Sequence, residues 1–348
     1  MTLPDAPTAD VAERLLAFLR QEVKRPDLRY EESPSEILGG YEMRTFGFRL
    51  AGADGPFTRP LIMRLYRRDH GPQLARFERT VQNAVADQGL PAPRVLLANS
   101  DESNLGAFIV MERIAGTPLI DLLRRPSLRM FRVAGMLAET QANLHNLDAA
   151  RLRDELERDG LAHLASVDGW FDQLQHRIDQ SDLAGLRAGL DWARQHRPDP
   201  GVPVICHGDY HPNNLLVDGE SITGVIDWSL AKLADPEFDV GNTHVLLTRG
   251  PRGVPAALDG IVGLMLGNLA RRYRNAYRKL RPIDEGRVRY YEAVRCLASL
   301  VWAGEHRVAA SSGMDLGPNP WSASRESKRL INHFYNVSGI RVALSASA

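Results

Sequence analysis

The densest group of polar side chains in the chain is the run H-G-D-Y-H-P-N-N at residues 207–214. It follows an apolar segment at 202–206 that is typical of a short strand. Asp227 lies eighteen residues after Asp209 in a second short motif, I-D-W. Together with Asn214, these side chains offer hard oxygen ligands for Mg²⁺ and a spare carboxylate, which is what phosphoryl transfer requires of a protein.

The elements around these motifs indicate how the chain would bring them together. Residues 215–217 and 222–226 are strand-like, and Asp218-Gly219 between them is a typical turn. The two strands therefore predict a hairpin. We expect the returning strand to carry Asp227 back beside Asp209 and Asn214.

Both motifs, with the hairpin between them, resemble the catalytic and metal-binding loops of the aminoglycoside phosphotransferase and choline kinase-like family, small-molecule relatives of the protein kinases. Further segments match that family in the same order along residues 38–240. They are L-G-G-Y at 38–41 with M-R-T at 43–45, I-M-R-L-Y at 62–66, Glu78, L-P-A-P-R-V at 90–95, and V-M-E-R-I-A-G at 110–116.

The resemblance implies a role for each matching residue. Asp209 would be the catalytic base that accepts the proton of the acceptor hydroxyl, and Asn214 and Asp227 would hold Mg²⁺ on the phosphates of ATP or GTP. The remaining nucleotide contacts would come from three places. These are the glycine turn of Gly39 and Gly40, the strand residue Arg64 with its partner Glu78 on the following helix, and the backbone of Glu112 and Ile114 between the lobes.

Three features of the sequence depart from the family pattern. Arg64 stands where a protein kinase has lysine, and a guanidinium can still bind phosphate, in a bidentate manner. Gly39 and Gly40 do not form a G-x-G-x-x-G loop, and Asn213 stands where many members have glycine. The two carboxylates are unaffected by these departures.

The predicted fold is α+β and bilobal, resembling the protein kinases. A small lobe at 1–113 would bind the nucleotide, with an antiparallel sheet that includes strands at 43–50, 61–66, 94–98 and 107–111 and one main helix after residue 71. Residues 1–30 would add an amphipathic helix. A larger lobe at 114–348 would be mainly helical and catalytic, with helices at 128–147, 170–178, 183–196, 258–280 and 285–310.

Composition narrows the classes of partner. The 348 residues carry 43 Lys and Arg and 43 Asp and Glu, so no overall charge attracts nucleic acid or an anionic membrane. With two cysteines and no apolar leader, the sequence predicts a cytoplasmic protein without a disulfide framework. Residues 241–348 hold 16 basic and 7 acidic side chains, which favours a neutral or anionic hydroxylated acceptor over a polycation.

Two other functions are compatible with the same residues. His207, Asp209 and His211 could instead bind a transition metal for hydrolysis, although Pro212 bends the chain directly after His211. The chain could also be a catalytically silent, kinase-like module that binds nucleotide. For both histidines we favour a structural role, and we expect Asp239 to cap a helix and brace the loop.

Overall fold

A computed structural model describes residues 7–37, 43–66, 71–100, 105–123, 129–252, 254–313, 319 and 321–344. The chain divides into two compact units. The first comprises Met1–Gly116 and Leu216–Ser229, and the second comprises Thr117–Leu215 and Leu230–Ala348. The hairpin at 216–229 thus groups with the first unit rather than with the segments that flank it in sequence.

The first unit is built on a five-stranded antiparallel sheet. The strands are β1 (Arg29–Glu36), β2 (Met43–Ala51), β3 (Leu61–Tyr66), β4 (Val95–Asn99) and β5 (Phe108–Glu112), in the spatial order β1-β2-β3-β5-β4. Two helices accompany them, α1 (Thr8–Glu22) and α2 (Gly71–Asp87). The predicted hairpin of the second and third strands is confirmed, and so is the helix after residue 71.

The central strand β3 is buried along its whole length, and its successive side chains alternate between two hydrophobic clusters. Leu61, Met63 and Leu65 pack in the same hydrophobic cluster as the buried residues of α1. Ile62 and Tyr66 pack in a second cluster that includes α2 residues. Arg64 lies between these two in the alternation, so the strand geometry directs it to the α2 side.

Two features of the first unit differ from expectation. The N-terminal helix ends at Glu22 rather than near residue 30, and β1 follows it. The β1 sequence lacks a hydrophobic alternation because six of its eight residues are exposed. It is held by backbone pairing to β2 at the sheet edge, with two register shifts, and its proline is compatible with an edge position.

The second unit is mainly helical. Its helices are α3 (Ile120–Leu123), α4 (Arg129–His145), α5 (Ala149–Arg158), α6 (Ala162–Ala165), α7 (Val167–Gln180), α8 (Arg187–Gln195), α9 (Pro236–Arg249), α10 (Ala256–Leu280), α11 (Glu285–Ser311) and α12 (Ser324–Ser338). The five long helices expected from the sequence are confirmed with small differences at their ends. Among the described residues, no helix has both the length and the apolar composition needed to cross a bilayer.

Short strands interrupt the helices. They are β6 (Thr117–Pro118), β7 (Val204–Cys206), β8 (Leu215–Asp218), β9 (Ser221–Val225) and β10 (Lys232–Ala234). The predicted hairpin is β8 with β9, which are hydrogen-bonded neighbours. Strand β10 was not predicted. Its three residues pair antiparallel with β7, and a strand of this length has too few positions to show a periodic pattern.

The packing of α1 gives a stability prediction. Leu15 is fully buried against the sheet, so Leu15→Ala should lower the free energy of unfolding by about 2–5 kcal/mol. Urea denaturation measures this change. Glu13→Ala, on the exposed face of the same helix, is the control. Equal stability of the two variants would show that α1 does not contribute to the core.

Candidate active site

The polar loop begins directly after β7 and is held by Asp239 of α9. The carboxylate of Asp239 accepts the backbone N–H groups of His207 and Gly208, each at 2.8 Å. The Asp239 carboxylate is fully buried, and Nε2 of His145 lies 3.2 Å from its Oδ2. Burial opposes ionisation, but the hydrogen bonds from the His145 side chain and the His207 backbone outweigh it and lower the pKa of Asp239.

The tight entry to the loop requires glycine at position 208. Gly208 has a φ of +81°, and a Cβ there would collide with the carbonyl oxygen of Leu230. The predicted bracing role of Asp239 is confirmed. The predicted capping role is wrong, because α9 begins at Pro236 and the N-cap position belongs to Asp235.

Asp209 is held by three side chains of the second unit. Nη2 of Arg295 donates to Oδ1 at 2.8 Å, while Nε2 of His211 and Nδ2 of Asn214 each lie 3.2 Å from Oδ2. Burial alone would raise the pKa of Asp209, but the interaction with His211 and the positive charge of Arg295 outweigh it and lower the pKa. The carboxylate is therefore ionised at neutral pH. Its side chain is 22% exposed, so a ligand can reach it.

Asn214 is oriented by the same residue. Its Nδ2 donates to the backbone oxygen of Asp209 at 3.0 Å as well as to the carboxylate. Because both bonds use the nitrogen, the Oδ1 oxygen is left to accept another ligand. The structure thus brings Asp209 and Asn214 together, as the sequence predicts.

In the first unit, Arg64 forms a buried ion pair with Glu78. Its Nη1 donates to Oε1 of Glu78, whose other oxygen accepts the hydroxyl of Tyr66. The Nη2 of Arg64 donates to Oδ1 of Asp227 at 2.9 Å. Burial opposes the charge on Arg64, but the carboxylates of Asp227 and Glu78 outweigh it and raise the pKa of Arg64. The pairing expected for this cation is confirmed.

Asp227 follows the end of β9 in an uncommon backbone conformation. Its φ is +69°, in the left-handed region that non-glycine residues rarely adopt. The hydroxyl of Ser229 donates to Oδ1 at 2.9 Å, and the side chain is 38% exposed. Strained residues of this kind are concentrated at functional sites, where surrounding contacts maintain them.

The backbone after β5 was expected to bind the purine. The N–H of Glu112 donates to Arg94 and the N–H of Arg113 donates to Pro60, both within the first unit. The N–H of Ile114 has no backbone partner among the described residues. Gly39 and Gly40, predicted to cover the nucleotide, lie outside the described residues.

Three participants were not anticipated from the sequence. Arg295 lies in the middle of the long helix α11, Tyr66 ends the I-M-R-L-Y segment, and Ser229 directly follows the I-D-W motif. No role was predicted for any of these three side chains. The alternation of β3, which places Tyr66 on the same face as Arg64, is the one signal that could have indicated a role.

The described residues contain one trio of metal-type ligands whose donor atoms converge, and it does not include Asp209. His145, Cys206 and Asp239 are all buried, with donor atoms within 4.8 Å of one another. Asp239 is already engaged by the loop, and His145 contacts the hydroxyl of Tyr277 at 2.5 Å. Burial raises the pKa of Cys206, which keeps it a thiol rather than a metal-binding thiolate. The trio is therefore a hydrogen-bonded brace.

Comparisons of the sequence with known proteins identify related phosphotransferases. A sequence profile described as "Phosphotransferase enzyme family" matches residues 34–286. An aminoglycoside 3'-phosphotransferase of Streptomyces fradiae is 29% identical over 160 residues, which cover 44% of this chain and 57% of that protein. A hygromycin-B 4-O-kinase of Escherichia coli is 26% identical over 227 residues, with 60% of each chain covered. The match thus spans less than two thirds of these relatives' lengths.

A solved structure shows the same fold over nearly the whole chain. The aminoglycoside phosphotransferase APH(4)-Ia, in a ternary complex with ADP and hygromycin B, superposes with a TM-score of 0.57 and 21% identity. The match covers 91% of this chain and 97% of that one. The fold is thus α+β and protein-kinase-like, as predicted from the sequence.

The brace on the loop gives a second stability prediction. Asp239→Ala leaves two buried N–H groups without an acceptor, at roughly 1–3 kcal/mol each, so the free energy of unfolding should fall accordingly. Urea denaturation measures the change. Asp172→Ala, which removes a 72% exposed carboxylate paired to Arg194, should be nearly neutral. If Asp239→Ala lowered the free energy of unfolding no more than Asp172→Ala does, the hydrogen bonds of Asp239 to the loop would not contribute to stability.

Proposed function

We propose, because this chain belongs to the phosphotransferase enzyme family, that it transfers the γ-phosphoryl group of ATP or GTP to a hydroxyl group of a small molecule. The observation that carries this proposal is the buried Arg64–Glu78 ion pair and its link to Asp227. Protein kinases use a strand cation paired with a helix glutamate to hold the nucleotide phosphates. Arg64 would contact the α- and β-phosphates in this way.

The base in this reaction would be Asp209. As the acceptor oxygen forms its bond to phosphorus and the nucleoside diphosphate leaves, the hydroxyl proton passes to the Asp209 carboxylate. The low pKa of Asp209 keeps it ionised and able to accept hydrogen bonds from the acceptor. Arg295, His211 and Asn214 fix its orientation.

Asn214 and Asp227 would hold Mg²⁺. One contributes an amide oxygen that its own hydrogen bonds leave available, and the other a partly exposed carboxylate. This donor set fits Mg²⁺, which prefers oxygen ligands. When bound, the ion neutralises charge on the nucleotide phosphates.

The purine would be received by the backbone of residues 112–114, with the N–H of Ile114 as donor, and Gly39 and Gly40 would cover the phosphates. A fold relative solved with ADP supports a nucleotide as donor.

The relatives named above act on aminoglycosides and hygromycin B, both hydroxylated small molecules. For this chain we propose a neutral or anionic acceptor, since residues 241–348 carry 16 basic and 7 acidic side chains. A nucleotide-dependent reaction is in keeping with a cytoplasmic protein. We further propose that residues 1–113 form the nucleotide-binding lobe and that residues 114–348 form the catalytic lobe.

The local geometry gives less support to the other two functions. Nδ1 of His207 accepts the backbone N–H of Asp209 at 3.2 Å, so this ring is used to shape its own loop rather than to bind a metal. A module that only binds nucleotide has no need for an ionised, oriented carboxylate at Asp209.

The role of Asp209 gives a kinetic prediction. Asp209→Asn should lower kcat by roughly 10²- to 10⁴-fold, because the amide cannot accept the proton. Formation of nucleoside diphosphate with a panel of hydroxylated acceptors measures it. Asp218→Asn, at the exposed last residue of β8, is the matched control. Full turnover by Asp209→Asn would eliminate it as the base.

The nucleotide site is tested by thermal unfolding with ATP, GTP or neither, each with and without Mg²⁺. Nucleotide at about 100 times its dissociation constant should add roughly 2.7 kcal/mol of stability. Asp227→Ala should abolish the part of the shift that depends on Mg²⁺, while Asp218→Ala should retain it. Absence of a shift with either nucleotide at millimolar concentration would contradict the proposed function.

A further inference from the structure

Two arginines of the second unit have unusual partners. Arg295, whose side chain is 11% exposed, pairs with Asp209 and donates to the backbone oxygen of Gly208 at 3.2 Å. Arg249, the last residue of α9, has no carboxylate partner among the described residues. In both, the Nε atom is buried without a hydrogen-bond partner in the part of the chain that the structure describes.

Glu292, the carboxylate paired to His333, is already engaged by other side chains. Glu292 is 5% exposed and already accepts Nη1 of Arg274 at 3.1 Å and Nε2 of His333 at 2.9 Å. Nη2 of Arg249 lies 3.4 Å from Nδ1 of the same His333. Arg249 therefore contacts an imidazole rather than a carboxylate. A half-buried guanidinium without a counter-charge is costly unless a ligand provides one.

Arg249 and Arg295 belong to the same neighbourhood. Burial raises the pKa of the Cys296 thiol on α11, and the positive charges of both arginines oppose that increase. The contacts agree: Nη2 of Arg249 lies 3.4 Å from His333, and Nε2 of His333 lies 2.9 Å from Glu292 of α11. Glu292, Arg295 and Cys296 fall within about one turn of α11.

We propose that the acceptor substrate carries an oxyanion, a carboxylate or a phosphate, and that Arg249 and Arg295 bind it. This inference rests on the proposed phosphotransfer and specifies its acceptor. A guanidinium presents a planar fork of donors that matches both kinds of oxyanion, and each Nη carries a second hydrogen beyond the one used here. Since Arg295 also holds Asp209, an oxyanion on Arg295 brings the rest of the acceptor next to the base.

The same charges disfavour a polycation. An ammonium group of the acceptor would meet two guanidiniums at this position, and like charges in contact cost affinity. Asp209 is the acidic residue bound to Arg295, and Glu292 is engaged by Arg274 and His333. The site therefore selects for negative charge near the reacting hydroxyl.

The test measures binding by calorimetry to the protein saturated with Mg²⁺ and a non-hydrolysable ATP analogue, so that the nucleotide site is filled. The probes are D-gluconate, D-glucose 6-phosphate, D-glucitol and D-glucosamine. We expect one or both anionic probes to bind, and the neutral and cationic probes to bind at least about tenfold more weakly. The carboxylate and phosphate arms identify which oxyanion the site prefers.

Variants assign the binding to the arginines. Arg249→Gln should weaken the bound anion at least about tenfold, because a charge-assisted hydrogen bond is lost, and Arg249→Lys should restore part of it. Arg278→Gln, an exposed arginine of α10 paired to Glu285, is the control and should bind normally. Thermal unfolding of each variant confirms that it is folded.

The outcomes separate this inference from the proposed function. If the nucleotide analogue binds but neither anion binds more tightly than D-glucitol, the anionic acceptor is wrong and the phosphotransfer stands. Anion binding that is equal in Arg249→Gln and Arg278→Gln would also overturn the assignment. Failure of the nucleotide analogue to bind would remove the proposed function and this inference with it.

Discussion

The carboxylate of Asp239 accepts the N–H groups of two consecutive loop residues, and the placement of the candidate base follows from that pair of bonds. A buried carboxylate is stable only when its hydrogen-bonding capacity is used. Here the backbone N–H groups of the loop and the imidazole of His145 use the hydrogen-bonding capacity of Asp239. In return, the carboxylate fixes the loop entry so that the next residue, Asp209, extends toward Arg295, His211 and Asn214.

Pairing of charges governs the rest of the candidate site. Asp209 faces Arg295, and Asp227 faces Arg64, so each carboxylate has a guanidinium within hydrogen-bond distance. The arginine at position 64 is well suited to this arrangement, because its two Nη atoms donate to two different carboxylates. The compact ammonium of a lysine lacks such a fork. The departure from the protein-kinase pattern at this position therefore gives the cation a second partner.

The fold was largely predictable where patterns are long. The apolar run of β3 and the periodicity of the long helices α10 and α11 extend over enough residues to be recognised. Strands β1 and β10 were missed for two different reasons. One is an exposed edge strand held by backbone hydrogen bonds, and the other has three residues, so neither carries a side-chain pattern.

The sequence alone determined the chemistry available to this protein, since the order and spacing of Asp209, Asn214 and Asp227 indicated phosphoryl transfer. The resemblance to a known family also implied the pairing of Arg64 with Glu78, which the structure confirms. Only the tertiary structure decided that Arg295 holds the candidate base and that Arg249 has no carboxylate partner among the described residues. These relations join residues 86 positions apart or depend on how Glu292 is shared among several helices. Local sequence carries no information about such pairings, because long-range packing alone determines which charges meet.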